Sequence, residues 1–79
     1  MSGTPLPTPQ EAFGRVLRQL RLEAGMSQEQ LGLESGVQRN FISLIETGQN
    51  QPSVTTVFRL AAALKIKPSA LIAEVESIC

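Results

Sequence analysis

The chain has 79 residues, 42% of them hydrophobic, and seven Lys and Arg residues balance seven acidic residues to a formal net charge of zero. We expect one small domain from this length, rather than a catalytic domain joined to a regulatory one. Histidine is absent and every acidic residue is Glu, which excludes the Ser-His-Asp triad and most metal sites. We therefore expect neither an enzyme nor a bound metal or cofactor.

The cysteine content and the hydropathy pattern predict the cellular compartment of the protein. The single cysteine, Cys79, is the last residue, so it has no partner for an internal disulfide, as is usual in a reducing cytoplasm. The longest apolar run, residues 60–64, is too short to cross a bilayer. We expect a cytoplasmic protein that does not bind membranes.

Residues 1–8 are rich in Pro and small side chains, so we expect a flexible leader ahead of a domain spanning residues 9–79. A minor-groove arm is the alternative, but such arms use Arg or Lys, which this segment lacks. The first helix is predicted to start with Thr8 as its cap, Pro9 at its first position and Glu11 completing a capping box. Its apolar stripe ends before Gly25 and consists of Phe13, Val16, Leu17, Leu20 and Ala24.

Two short helices follow. Ser27 and Gln30 form a second capping-box signal, and Ser35-Gly36 ends that helix after about two turns. The third helix is predicted from about Gln38 to Gly48, with Val37, Ile42 and Ile45 as its apolar positions.

Two further helices complete the chain. Pro52-Ser53 starts the fourth, whose buried face we predict to be Val54, Val57, Phe58, Ala61 and Leu64. Pro68 opens the fifth after Lys67, a poor capping residue, and its apolar positions are Leu71, Ile72, Val75 and Ile78. No segment alternates with the period of a strand, so the sequence predicts an all-α domain of five helices.

The second and third helices are separated by only three residues, Ser35-Gly36-Val37. Gly36 can supply the backbone turn between them, and steeply crossed helices of this kind form a helix-turn-helix, in which the second helix enters the major groove of DNA. Spacing alone is a weak signal. The residues of this stretch add a defined pattern, made of Gln28, Leu31, Gly36, Val37, Ile42, Ile45, Glu46 and Gly48.

This pattern closely resembles the Cro/C1-type (Xre) helix-turn-helix family of bacterial and phage repressors, which includes small restriction–modification controller proteins. The resemblance extends from about residue 11 to residue 73. It implies the lambda-repressor-like fold, with the helix-turn-helix in helices 2 and 3, and double-stranded operator DNA as the partner. No small-molecule ligand is expected.

Base-contacting positions of the family match Gln38, Arg39, Asn40 and Ser43 in the third helix. Helical spacing independently places most of them opposite the apolar positions, and Arg, Gln and Asn suit base edges in the major groove. A plain solvated face is the alternative. Leu44 stands where the family is often polar, and it either contacts a thymine methyl group or is partly buried.

Phosphate contacts are implied at a second set of positions. Gln28 matches a phosphate-binding Gln at the start of the second helix, where free N–H groups favour anions; Ser27 and Gln28 could instead act only as caps. The other phosphate contacts expected are Arg18, Thr47, Asn50 and Gln51.

The resemblance also implies a buried ion pair between Arg21 of the first helix and Glu46 of the third. Such a pair would hold the recognition helix in place, and losing one partner would be costly. The alternative is two separately solvated charges, which would contribute little.

One recognition helix contacts few base pairs, and the family binds near-palindromic operators as two-fold dimers. We expect Ile72, Val75 and Ile78 to form the dimer interface, although they could instead only close the monomer's core. An antitoxin or another protein-interaction module that keeps this fold is the alternative function.

Zero net charge bears on the strength of DNA binding. Three of the seven positive charges lie on the first helix and one, Arg39, on the third, while Glu46 is expected to be neutralised by Arg21. The sequence therefore predicts modest non-specific affinity, a shallow salt dependence and reliance on dimerisation.

Overall fold

The computed structural model describes residues 5–79, and within that range it contains five α-helices and no strand. The helices are α1 (Pro9–Glu23), α2 (Gln28–Ser35), α3 (Arg39–Glu46), α4 (Val54–Ala63) and α5 (Pro68–Ile78). The predicted all-α class and the predicted order of elements are confirmed.

Local capping explains why most of these helices begin where they do. Thr8 and Glu11 form a complete capping box at α1, and Ser27 and Gln30 form one at α2. At α4 the Ser53 hydroxyl accepts a hydrogen bond from the Thr56 N–H. The caps of α3 and α5, Gln38 and Lys67, make no side-chain capping bond, so these two helices depend more on tertiary packing.

Five short helices enclose a single core. The first helix packs on α3 and α5, α2 packs on α3 and α4, and α4 packs on α5. Each helix is therefore held by at least one partner distant in sequence. The largest fully buried side chains come from all five helices and are Leu17, Leu31, Ile42, Ile45, Leu60 and Leu71.

The buried face of α4 differs from the predicted one. Val54 and Phe58 were expected in the core but are 74% and 57% exposed. Ala61 is buried as predicted, and Val57 and Leu64 pack partly buried against the core, but the helix also buries Leu60 and Ala63, which were not predicted. Apolar residues occur nearly all round this helix, so its orientation is decided by the neighbours α2 and α5 and not by its own pattern.

The two ends of the chain complete the description. Residues 1–4 of the predicted leader lie outside the described residues, and residues 5–8 precede α1 without forming a helix. Among the helices of the described range, none has the length and apolar character needed to cross a membrane.

Candidate nucleic-acid interface

A three-residue connection joins α2 to α3. Gly36 has a left-handed backbone (φ 76°, ψ 13°), and its N–H donates to the Gly32 carbonyl oxygen at 2.9 Å. An L-residue with a side chain resists this conformation. The Val37 N–H donates to the buried Ser35 hydroxyl oxygen at 3.2 Å, so the turn is fixed by hydrogen bonds on both sides.

Close backbone contact accompanies this turn. A Cβ atom added to Gly32 would lie 2.8 Å from the Val37 carbonyl oxygen. Glycine costs α2 roughly 1 kcal/mol of helix propensity relative to Ala, but in this structure the turn must shift before an Ala fits. The close contact therefore opposes the stabilisation that helix propensity alone would predict for Gly32→Ala.

The third helix has one buried face and one exposed face. Ile42 and Ile45 have no exposed surface. Arg39 and Asn40 are exposed, Ser43 is half-exposed, and Gln38 is exposed at the cap. Arg39, Asn40 and Ser43 therefore share the accessible side of the helix, and Gln38 is accessible at its start, where these polar groups are free to form external hydrogen bonds.

Arg21 and Glu46 form an ion pair that joins α1 to the end of α3. Arg21 donates from Nε to Glu46 Oε2 at 2.7 Å and from Nη2 to Oε1 at 3.0 Å, and its Nη1 donates to the Met26 carbonyl oxygen at 2.8 Å. The two residues are only 7% and 9% exposed. The hydrogen bonds to Glu46 raise the pKa of Arg21 against the opposing effect of burial, so the Arg21 guanidinium keeps its charge.

The same carboxylate also holds a residue of α2. Gln28 donates from Nε2 to Glu46 Oε1 at 3.1 Å, which leaves the second Nε2 hydrogen available for an external acceptor. Three helices thus meet at one carboxylate, and each buried polar side-chain atom of residues 5–79 has a hydrogen-bond partner. This network fixes α3 relative to α1 and α2.

Sequence reasoning missed two residues of α1 that face the end of α3. A Cβ added to Gly14 would fall directly against the Ile45 carbonyl oxygen and 2.9 Å from that of Glu46. Gln10 Nε2 donates to the Gly48 carbonyl oxygen at 2.8 Å. Their spacing could have identified them, because Gln10 and Gly14 are one turn apart and Gly14 is two turns before Arg21, so all three lie on the same face of α1.

Two predicted phosphate contacts lie beside a predicted base contact. One surface groove is lined by Arg21, Ser27, Gln28, Glu29 and Arg39. The start of α2, with its free N–H groups and positive dipole end, therefore adjoins the start of α3. Arg18 lines a different depression on the outer side of α1, together with Arg15 and Leu22.

The turn after α3 holds the remaining predicted phosphate contacts. Thr47 Oγ1 lies 3.0 Å from the Ser43 carbonyl oxygen and 3.2 Å from that of Leu44, and it accepts a hydrogen bond from Gln49 Nε2 at 2.9 Å. A hydroxyl has one hydrogen to donate, and here that hydrogen is used within α3. This differs from our expectation for Thr47. Asn50 is half-buried and Gln51 is exposed.

The three residues predicted at the dimer interface differ in exposure. Ile72 is 45% and Ile78 38% exposed, whereas Val75 is only 7% exposed and belongs to the core. Val75 therefore closes the monomer and has little surface left for a partner, which corrects its predicted role. The position of α5 against α1 and α4 turns this side chain inward.

The crossed pair α2–α3, its glycine turn and its exposed polar face define a helix-turn-helix domain. The family model described as "Helix-turn-helix" matches residues 17–71. The chain belongs to this Cro/C1-type family of DNA-binding transcription regulators, which is not an enzyme class.

Several relatives and solved structures are similar to this chain. The chain is 38% identical to control protein C.BamHI of Bacillus amyloliquefaciens over 61 residues, which cover 76% of this chain and 75% of the relative. The crystal structure of the restriction-modification controller protein C.AhdI from Aeromonas hydrophila aligns with a TM-score of 0.76 and 40% identity, covering 78% of this chain and 94% of that one. The clp gene regulator ClgR from Corynebacterium glutamicum aligns with a TM-score of 0.86 and 25% identity over 96% and 97% of the two chains.

Proposed function

We propose that the protein is a homodimeric, sequence-specific regulator that places α3 in the major groove of a near-palindromic operator. The observation that carries this proposal is the exposed polar face of α3 beside the start of α2. The network of Arg21, Glu46 and Gln28, by contrast, bonds within the domain. Arg39 can donate two hydrogen bonds to guanine, and Asn40 can pair with adenine. Ser43 extends the same face, and Gln38 is exposed at the start of the helix.

Phosphate contacts would orient α3 in the groove. The second hydrogen of Gln28 Nε2 and the free N–H groups of the first turn of α2 are suited to one phosphate. Glu46 and Arg21 hold Gln28 in place without adding net charge. We retain Ser27, Arg18, Asn50 and Gln51 as further candidates and omit the Thr47 hydroxyl, because its hydrogen is donated within the chain.

A second copy of the chain would cover the apolar surface between α4 and α5. A depression there is lined by Val54, Val57, Phe58, Pro68, Ser69 and Ile72, and Val54 and Phe58 are the two large hydrophobic residues of α4 that are exposed. Contiguous exposed apolar surface of this kind favours association, and two-fold pairing through α4 and α5 would present two copies of α3 to one operator. The likeness to C.BamHI and C.AhdI favours a controller role.

Selection of bound sites from random duplex DNA tests the proposal. We expect an enriched sequence with two-fold symmetry and half-sites about one helical turn apart. The matched variant is Asn40→Ala, which should lose the preference at one base pair of each half-site while the domain stays folded, because Asn40 is exposed. Enrichment of no sequence would contradict the proposal and favour a protein-interaction module with the same fold.

A further inference from the structure

The exposed side of α3 contains one apolar residue that its packing does not explain. Leu44 is half-buried. The half-buried hydrophobic residues that pack against the core are Leu20, Met26, Phe41, Val57, Leu64 and Ile66, and Leu44 is not one of them. Its carbonyl oxygen accepts hydrogen bonds from the Gln49 and Asn50 N–H groups, so the backbone of the following turn, rather than the core, fixes its position.

Helical geometry places Leu44 among the residues of the DNA-facing surface. It follows Asn40 by one turn and precedes Thr47 by three residues, so the three lie on one side of α3. Ile42 and Ile45, by contrast, are fully buried. Leu44 is thus the apolar member of a surface that is otherwise made of Arg39, Asn40 and Ser43.

We infer that Leu44 recognises the C5-methyl group of a thymine, an inference that rests on the proposed function. Thymine C5-methyl is the apolar group that base pairs expose in the major groove. An apolar side chain that is partly exposed on a groove-facing helix gains by covering it, since burial of one methyl group is worth about a fourfold change in affinity. Leu44 would therefore add sequence preference without a hydrogen bond.

The geometry also limits where this thymine lies. Four residues along an α-helix span about 6 Å, and base pairs are stacked at about 3.4 Å. The thymine is therefore expected within about two base pairs of the pair that Asn40 contacts. A thymine at this position is thus distinguished from thymines elsewhere in the operator, whose methyl groups Leu44 does not reach.

Replacing thymine by uracil removes only the methyl group, and this change is the test. Each thymine of the selected operator is replaced in turn, and the affinity of the protein is measured by fluorescence anisotropy. We expect one thymine per half-site, within two base pairs of the Asn40 contact, at which uracil weakens binding about fourfold per half-site. The Leu44→Ala variant should bind the thymine and uracil operators equally well, and Leu44→Met should keep part of the preference.

The matched control is Ser43→Ala, on the same face. It should lower the affinity for both operators by the same factor and keep the ratio between them. The inference would be overturned if wild-type protein bound every uracil operator like its thymine counterpart, or if Leu44→Ala kept the full preference. The wild-type scan needs no variant, so the test holds even if Leu44→Ala folds poorly. A selection that enriches no sequence would overturn the proposed function itself, whereas an enriched operator without a methyl effect overturns only this inference.

Discussion

Arg21 and Glu46 show how one pair of side chains links stability to the candidate interface. Their charges are nearly removed from water, with side-chain exposures of 8% and 3%, and each nitrogen of the guanidinium and each oxygen of the carboxylate has a hydrogen-bond partner within the chain. Desolvation makes such a pair weak evidence of net stabilisation, but removing one partner leaves the other charge buried and unpaired. The pair is therefore expected to specify the position of α3 more than to add stability.

Arg21→Ala should lower the free energy of unfolding by about 3–5 kcal/mol, because it strands the buried Glu46 carboxylate. It should also weaken DNA binding, since Glu46 then no longer holds Gln28 and α3 in place. Urea unfolding followed by circular dichroism measures the stability. Arg18→Ala, three residues away on the exposed side of the same helix, is the control and should change it by less than about 0.5 kcal/mol. Equal free energies of unfolding for the two variants would show that the Arg21–Glu46 pair does not contribute to the stability of the fold.

Gly14 is a second residue whose role comes from a close approach between helices. An added Cβ would meet two backbone carbonyl oxygens of α3, and backbone cannot move aside as a flexible side chain can. Helix propensity alone would make Gly14→Ala stabilising by roughly 1 kcal/mol. We expect instead that it destabilises the protein by about 1–3 kcal/mol, the usual cost of overpacking.

Thermal unfolding of Gly14→Ala beside Gln19→Ala measures this effect. Gln19 is on the exposed side of α1 and its Nε2 donates only to the exposed Glu23 carboxylate, at 3.1 Å, so its replacement by alanine changes no packing between helices. A melting temperature for Gly14→Ala at or above that of Gln19→Ala would contradict the close approach of α1 and α3.

At the scale of the elements, the start of α1 depends on an ionised side chain. Glu11 Oε1 accepts a hydrogen bond from the Thr8 N–H at 3.0 Å, and this backbone bond, together with the Thr8 hydroxyl, lowers the pKa of Glu11 below its ordinary value of 4.5. The ionised form is thus favoured in the folded state. Its stabilising effect is complete above the pKa of the unfolded chain and is lost as the pH falls through the lower pKa of the folded chain.

Glu11→Gln tests this pH dependence. At neutral pH the wild-type protein should melt at a slightly higher temperature than the variant, because a charged carboxylate also interacts favourably with the first turn of α1. The difference should shrink once the pH falls below 4.5 and disappear when Glu11 is protonated. Glu76→Gln, on the exposed side of α5, controls for the removal of one carboxylate. A difference that grows on acidification would refute the assignment.

At the scale of the whole molecule, the exposed apolar side chains divide into separate surfaces. Phe58 and Ile72 lie together between α4 and α5, while Leu22, 55% exposed, lies on the outer side of α1. If a second copy covers the first surface, the double variant Phe58→Ser, Ile72→Ser should shift the protein towards monomer. The fold should survive, because neither side chain belongs to the core.

Sedimentation equilibrium of this variant beside Leu22→Ser measures the effect. The double variant should dissociate at concentrations where Leu22→Ser and the wild type remain dimeric, and its operator affinity should fall at least tenfold, a loss of about 1.4 kcal/mol. An unchanged association constant would place the dimer interface elsewhere.

Charge distribution determines the expected dependence on salt. Arg21 is neutralised by Glu46 and Glu29 lines the same groove as Arg39, so neutral donors must supply most phosphate contacts. The logarithm of the binding constant should fall against the logarithm of salt concentration with a slope of about −2 to −4 for the dimer, since roughly 0.9 ion is released for each neutralised phosphate.

Titrations between low and moderate salt measure this slope. If Arg18 contacts a phosphate, Arg18→Ala should reduce the magnitude of the slope by about 2 for the dimer, one phosphate contact being lost on each side. A slope steeper than about −8 would show that cations outside the predicted contacts also reach the DNA.

Local sequence signals predicted the helices, because the physics behind them is local, whereas the family was indicated by the resemblance of one residue pattern in α2 and α3. Capping boxes at Thr8 and Ser27 and the glycine turn at Gly36 act within four residues, and the apolar periods of α1 and α3 are unambiguous. The same spacing put Arg39, Asn40 and Ser43 on the side of α3 opposite its apolar residues.

Tertiary structure alone decided which surfaces those helices present. The apolar residues of α4 surround the helix, so only contacts with α2 and α5 could decide that Phe58 faces outward and Leu60 inward. Gly14 and Val75 depend in the same way on distances between helices. Such contacts join residues far apart in sequence, and no local period encodes them.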